Sequence, residues 1–327
     1  MISANQINSV SRREAMDLPN NYTELRFEIT TSGCVRHLST PAKELAQIIE
    51  DTGVPLEERY AAGCLLALVG DPRIDVFNPT MIEIPGGSFQ MGSSPEQVPE
   101  ITRTYRDLGM IEDWIEKEVP AFKQDVGAFR IAKYPVTNTE FRAFLLDTGY
   151  EFIPDSWPFG RFPAHFSNHP VYTVTPAAAD AYVIWLSEKT DRRFRLPTEP
   201  EWEYSAGAAV GNEFPWGAEF ISDVCNTGET GIFTSTPIGM FPEGNSPFGI
   251  ADMGGNVEEL VADTYRPYPG GVQINDDISN LDPHYRMTRG GGFSRFRDLA
   301  RCKRRHGFID LPLYTIGFRV CEDRAPA

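Results

Sequence analysis

Between Gly249 and Leu260 the chain reads Gly-Ile-Ala-Asp-Met-Gly-Gly-Asn-Val-Glu-Glu-Leu, which sets two oxygen donors, Asp252 and Glu259, around the pair Gly254-Gly255. Glycines let backbone carbonyls turn inward, and a hard cation such as calcium takes several oxygens of both kinds. This stretch therefore carries the first chemistry expected of the chain, a structural calcium site. A second concentration lies between Arg286 and Arg305. It holds Arg286, Arg289, Arg295, Arg297, Arg301, Lys303, Arg304 and Arg305 against one acid, Asp298. The window carries +7, so the rest of the chain carries −23. A cationic strip in an acidic protein pairs internally or faces an anion. Phe293, Phe296, Phe308, Leu311 and Tyr314 are interleaved with it or follow it, and arginine with aromatics is the composition of interface hot spots.

Other reactive types are sparse. The cysteines are Cys34, Cys64, Cys225, Cys302 and Cys321, with no Cys-x-x-Cys pair, so reduced thiols are expected and a zinc ribbon is not. The histidines are His37, His165, His169, His284 and His306. His165 and His169 share a spacing of four, but Pro163, Pro170 and Ser167-Asn168 point to a loop and a turn-stabilising hydrogen bond.

The elements that must position these residues divide at Pro79. Before it, alternating apolar residues at Glu24–Ile29 predict a strand. A helix follows Ser39-Thr40 with Leu45, Ile48 and Ile49 on one face, and another follows Pro55 with Tyr60, Cys64 and Leu68 stacked at intervals of four. This hairpin resembles one HEAT-like unit without a second copy. Residues 1–78 are thus expected to be an N-terminal extension and 79–327 the main domain. In the latter, short apolar segments are punctuated by Gly, Pro and Asn. Two helices stand out, one from the capping box Thr137-Asn138-Thr139-Glu140, with Phe141, Phe144 and Leu145 inward. The other follows Thr175-Pro176, with Ala178, Ala181, Tyr182, Trp185 and Leu186 in line. Residues 85–128 read as an acidic loop region with a short helix near Trp114.

Composition bounds the function. With 327 residues and 41% hydrophobic content the chain can bury a real core. A net charge of −16 argues against nucleic acid and anionic membranes. No apolar run approaches the roughly 20 residues of a membrane span, and the start lacks a secretory pattern. A cytoplasmic location is the expectation.

The Gly249–Leu260 stretch resembles the signature of the formylglycine-generating-enzyme (sulfatase-modifying-factor) superfamily, with Glu258 and Leu260 in place of two aromatics. Further segments resemble that family in order: Met81–Ser93, Tyr134–Phe141, His169-Pro170-Val171, Arg195–Tyr204, Phe214–Gly217, Asn226-Thr227, Thr236–Gly239, Arg289–Phe293 and Ile316–Val320. The resemblance covers about 79–323. It implies an α+β, loop-rich fold, a variant of the C-type lectin fold.

What the resemblance implies for function is mixed. The copper-dependent members hold Cu(I) between two cysteines after Arg-Gly-Gly-Ser, since two soft thiolates select that ion. Here Arg295 stands at the first position, the second is missing, and Cys302 matches a different cysteine, so no copper is expected. The sulfoxide synthases of ergothioneine-type pathways hold iron with histidines of an added helical domain, and residues 1–78 offer only His37. Calcium carries over better. One site would use Asp252 and Glu259 with carbonyls of Met253, Gly255 and Val257. A second would use Asn226 with carbonyls of Thr227 and Ile232, with Glu229 or Thr230 near the remaining ligand. The competing roles are an Asx turn for Asp252 and a salt bridge from Glu259 to Arg319.

Three functions follow. The first is a binding protein without formylglycine-generating activity. It would engage a protein or peptide, such as a secreted effector in the manner of immunity proteins, through Phe293, Arg295, Phe296, Arg297, Arg301, Cys302, Arg304 and His306. The second is an oxidoreductase or tailoring enzyme using Cys302, His306 or Glu258. The third is a regulatory ligand-binding module.

Overall fold

The computed structural model describes residues 31–311 and 314–323. The strand expected at Glu24–Ile29 lies outside them. The described chain opens with helix α1 (Thr31–His37), then α2 (Ala42–Ile49) and α3 (Leu56–Val69), which form the expected hairpin. Pro41 and Pro55 start α2 and α3, each with the fixed φ that helix entry needs. The inward face of α3 differs from the expected stripe. Tyr60, Ala62, Leu65 and Leu66 are buried, while Leu68 is 66% exposed. The reason is tertiary: α3 meets α1 and α2 on one side and the loop bearing Ile232, Met240 and Phe241 on another. The hairpin thus shares a core with the following domain. Polar ties reinforce this, with Arg59 donating to the Met240 carbonyl at 2.9 Å and Asn168 to the Gly63 carbonyl at 3.1 Å.

The remainder is mixed helix and sheet joined by long irregular loops. Strands β1 (Met81–Ile84) and β2 (Gly87–Met91) precede short helices α4 (Val98–Thr104) and α5 (Glu112–Glu116), the latter carrying Trp114. After β3 (Phe122–Val126) and β4 (Phe129–Ala132) come the two strongest helices, α6 (Asn138–Thr148) and α7 (Pro176–Thr190). At the start of α6 the Thr137 N–H donates to Glu140 Oε2 at 2.7 Å and the Glu140 N–H returns to Thr137 Oγ1, the expected capping box. Phe141, Phe144, Tyr182 and Trp185 close on one another and anchor the main core. Strand β5 (Phe194–Arg195) and helix α8 (Glu199–Ala206) follow.

Strand β6 (Glu258–Thr264), helix α9 (Asp277–Leu281) and strands β7 (Arg286–Arg289), β8 (His306–Gly307), β9 (Ile316–Phe318) and β10 (Cys321–Asp323) complete the chain. One sheet has the order β1-β4-β10-β5, a second β8-β7-β6-β9, and β2 pairs with β3 alone. The second sheet positions the site. Its register sets Leu260 beside Thr288 and Thr288 beside His306, while Glu259 lies beside Arg289. Among the described residues no helix is long and apolar enough to cross a membrane.

Candidate functional site

Side chains alternate across a strand, so the acids that open β6 face opposite ways. Glu258 shares a face with Leu260, and hence with Thr288 and His306 across the sheet. Its Oε1 lies 2.6 Å from His306 Nδ1 and accepts the Thr288 hydroxyl at 2.9 Å. Its Oε2 is buried with no hydrogen-bond partner among the described residues. Burial alone would push the Glu258 carboxyl up. His306, the Thr288 hydroxyl and the nearby Arg295 outweigh that and hold it below the usual carboxylate range. With Glu258 ionised, the proton between the pair sits on Nδ1, and Nε2 has no partner among the described residues.

The surroundings come from the loop after β7. Gly290 and Gly291 take φ of 95° and 64°, values open to glycine, and turn the chain back over β6. A Cβ at Gly292 would strike the Thr315 hydroxyl, so close approach requires glycine there too. Phe293 N–H then donates to the Asn256 carbonyl at 3.1 Å, and the Phe293 ring meets Tyr172 edge-on at 5.4 Å. Arg295 is fixed through its backbone, its carbonyl accepting the Gly228 N–H at 2.7 Å. Its guanidinium lies over the Tyr314 ring at 5.4 Å, and the His306 ring stacks on that same tyrosine at 5.7 Å.

The other members of the expected cleft go elsewhere. Arg301 is fully buried between Glu118, at 2.9 and 3.0 Å, and Glu213. Arg297 bonds Asp107 and Glu229, while Arg304 packs over Trp114 with Asp298 at 3.7 Å. Outside the predicted set, Arg305 and Arg289 converge on Glu199, and Arg289 also reaches Glu203. Most of the cationic strip is therefore taken up in ion pairs, with Arg289, Arg301, Arg304 and Arg305 buried, which is the internal pairing that the sequence left open beside an anion-facing role. The acids that neutralise it come from α8 and from the loops around residues 107–118 and 213, far apart in sequence. Phe296 packs against Gly228. Cys302 is buried, and burial drives its thiol well above the usual range, which makes it a poor nucleophile. His169 is buried with Nδ1 2.9 Å from Ser235 Oγ, and burial lowers it to about 3, so it stays neutral.

Glu259 accepts from Arg319 Nε at 2.6 Å and from Trp202 Nε1 at 2.7 Å, and its other oxygen meets Arg319 Nη2. In this structure it is the partner of Arg319, the alternative that the sequence left open beside calcium ligation, and both its oxygens are already taken. Asp252 fits as a calcium ligand. Its Oδ2 accepts the Gly239 N–H at 2.8 Å, its Oδ1 has no partner among the described residues, and burial pushes it up to about 6. A cation held by Asp252 and the carbonyls of Met253, Gly255 and Val257 would supply the missing counter-charge. In the second loop Asn226 Oδ1 is buried and unpartnered, as a ligand position would leave it. Glu229, however, is turned to Arg297 and the Thr227 hydroxyl, so it does not join Asn226, Thr227 and Ile232. Among the described residues no three His, Cys, Asp or Glu side chains converge as a metal cluster.

With this geometry in place, comparison with known proteins is decisive for the family. The sulfatase-modifying factor enzyme 1-like domain model matches residues 71–324. The chain belongs to the FGE-sulfatase family. It is 29% identical to the hercynine oxygenase of Mycolicibacterium smegmatis, over 86% of this chain and 69% of that protein. It is 26% identical to the formylglycine-generating enzyme of Mus musculus, over 75% of this chain and 76% of that one. Among solved structures it resembles PvdO from Pseudomonas aeruginosa, with a TM-score of 0.57 and 27% identity over 76% of this chain and 95% of that chain. Within this FGE-sulfatase domain, sequence reasoning named Glu258 and His306 separately. It missed Thr288 and the pairing itself, for which the strand alternation of Glu258-Glu259-Leu260 was the available signal.

Proposed function

We propose that this FGE-sulfatase protein is an enzyme that works by proton transfer at His306, not by the copper–thiolate chemistry of formylglycine formation. The observation that carries this is the pairing of buried Glu258 with His306 Nδ1 at 2.6 Å. A carboxylate behind an imidazole fixes the tautomer, makes Nε2 the working nitrogen and stabilises the imidazolium formed when Nε2 takes a proton. Such general acid–base assistance contributes about 10²–10⁴-fold in rate. Two further points support the reading. Arg295 stands where the resemblance places the first copper thiolate, and Cys302 is buried with a raised thiol. The family relatives named above include enzymes. A partner-binding role through the arginine strip loses its motive, because most of those cations are neutralised inside the fold.

A calcium ion at the Asp252 loop belongs to the same proposal in a structural role, holding the turn that feeds β6. The functional test is activity-based metabolite profiling. Purified protein is incubated with a small-molecule extract, and depletion is compared with Glu258→Gln and His306→Gln. Depletion of a metabolite by the wild type and by neither variant is expected. Identical profiles for all three would remove the proposal.

A further inference from the structure

We infer that Arg295 anchors the ligand of this site, and that the ligand is an organic anion. The inference rests on the Glu258–His306 reading and extends it to what is bound. Of the eight cations between Arg286 and Arg305, six have an acidic partner: Arg286, Arg289, Arg297, Arg301, Arg304 and Arg305. Arg295 and Lys303 have none among the described residues. The difference is informative in a chain of net charge −16, where acids are abundant and every neighbouring arginine has found one.

Arg295 is also not a loosely solvated side chain. It is half-buried, its backbone is pinned at Gly228 and Gly292, and its guanidinium is laid over Tyr314. Holding a cation against an aromatic face keeps its fork of N–H donors oriented, which suits bidentate capture of a carboxylate or phosphate. The same Tyr314 ring carries His306, so Arg295 and the imidazole pack against one residue. The field of Arg295 reaches Glu258 as well, since it helps hold that carboxyl ionised.

The test uses four probes of one shape: benzoate, phenyl phosphate, uncharged benzamide and cationic benzylamine. Calorimetric titration gives affinity, and the ring signals of His306 in labelled protein report whether the probe sits at the site. One or both anions should bind and shift His306, with benzamide and benzylamine at least tenfold weaker. Which anion binds more tightly distinguishes a carboxylate ligand from a phosphorylated one. Arg295→Gln should weaken anion binding at least tenfold, Arg295→Lys should restore part of it, and Arg297→Gln should change it less than twofold. Equal binding of benzamide, an unaltered Arg295→Gln, or no binding of either anion would overturn the inference. Those outcomes leave the metabolite comparison of Glu258→Gln untouched. Anion binding without Glu258-dependent turnover would instead sink the enzymatic reading alone.

Discussion

Glu258 and Glu259 are consecutive in the chain and serve opposite faces of one strand, Glu258 meeting His306 and Glu259 meeting Arg319. The second pair is architectural. Arg319 is fully buried, and besides Glu259 it donates to the carbonyls of Ala132 and Ala251 at 3.0 and 2.9 Å, tying β4 and the Asp252 loop to β6. Removing one partner of a buried pair leaves the other charge uncompensated, at a cost of about 3–5 kcal/mol. Arg319→Leu is therefore expected to lower unfolding free energy by that amount in urea titrations. The double variant with Glu259→Leu should recover a large part of it. A double variant no more stable than Arg319→Leu would show that the carbonyl contacts, and not the ion pair, hold the region.

Calcium is expected to act through Asp252 and not through Glu259. An ion bound only by the folded state raises stability by mass action, so a chelator should lower the melting temperature. Asp252→Ala should melt at the same temperature with and without chelator. Glu259→Gln should melt lower than wild type yet keep the chelator response. A wild-type curve indifferent to chelator, with no calcium by elemental analysis, rejects the site altogether.

The contrast between these two acids shows what the sequence could and could not convey. Ordered motifs from Met81 to Val320 made the family legible, and local rules located α6 through Thr137–Glu140 and the core face of α7 through Tyr182 and Trp185. The destination of the arginines was not legible. Arg301 finds Glu118 across 183 positions and Arg305 finds Glu199 across 106, and no local period encodes such pairings. The inward face of α3 failed for the same reason, since the loop carrying Ile232 and Met240 decides which residues are covered. The Glu258–His306 pair depends on two strand registers at once, through β7, and so appears only when the sheet is assembled.

The buried arginines yield a direct expectation. Arg301→Met leaves Glu118 without its bidentate partner inside the protein and should destabilise the fold by about 3–5 kcal/mol. Arg297→Gln, whose side chain is partly exposed and bonded to Asp107 near the surface, should cost about 1 kcal/mol or less. Chemical denaturation of the two variants separates these values. Equal and small losses would mean that the strip is not part of the interior framework.

Stability should also depend on pH through Glu140. Burial pushes its carboxyl up to about 7 despite the two hydrogen bonds it accepts from Thr137. The folded state thus holds a proton that the unfolded chain releases near the ordinary value of about 4.3. The sign follows from that difference. Stabilisation is complete below about pH 4, declines as pH rises, and is lost above about pH 7, with a slope of at most about 1.4 kcal/mol per unit. Glu140→Gln keeps an acceptor for the Thr137 N–H and has no proton to lose. Its stability should therefore fall less than that of wild type between pH 5 and 8. Parallel curves for the two proteins would show that Glu140 is ionised throughout.

The final expectation concerns sulfatase-type chemistry. Formylglycine formation by the copper route needs two thiolates on one ion; the family resemblance puts Arg295 at the first of those positions, and Cys302 lies buried beside Gly207. Burial raises the thiols of Cys225, Cys302 and Cys321, so all three should resist iodoacetamide in the folded protein and react only after denaturation. Protein supplied with Cu(I) and oxygen should leave a cysteine-containing sulfatase-type peptide unchanged by mass spectrometry. Aldehyde product above the metal-free control would contradict this. Rapid alkylation of Cys302 in the native state would do so independently, because it would expose a thiolate where the fold places a sealed thiol.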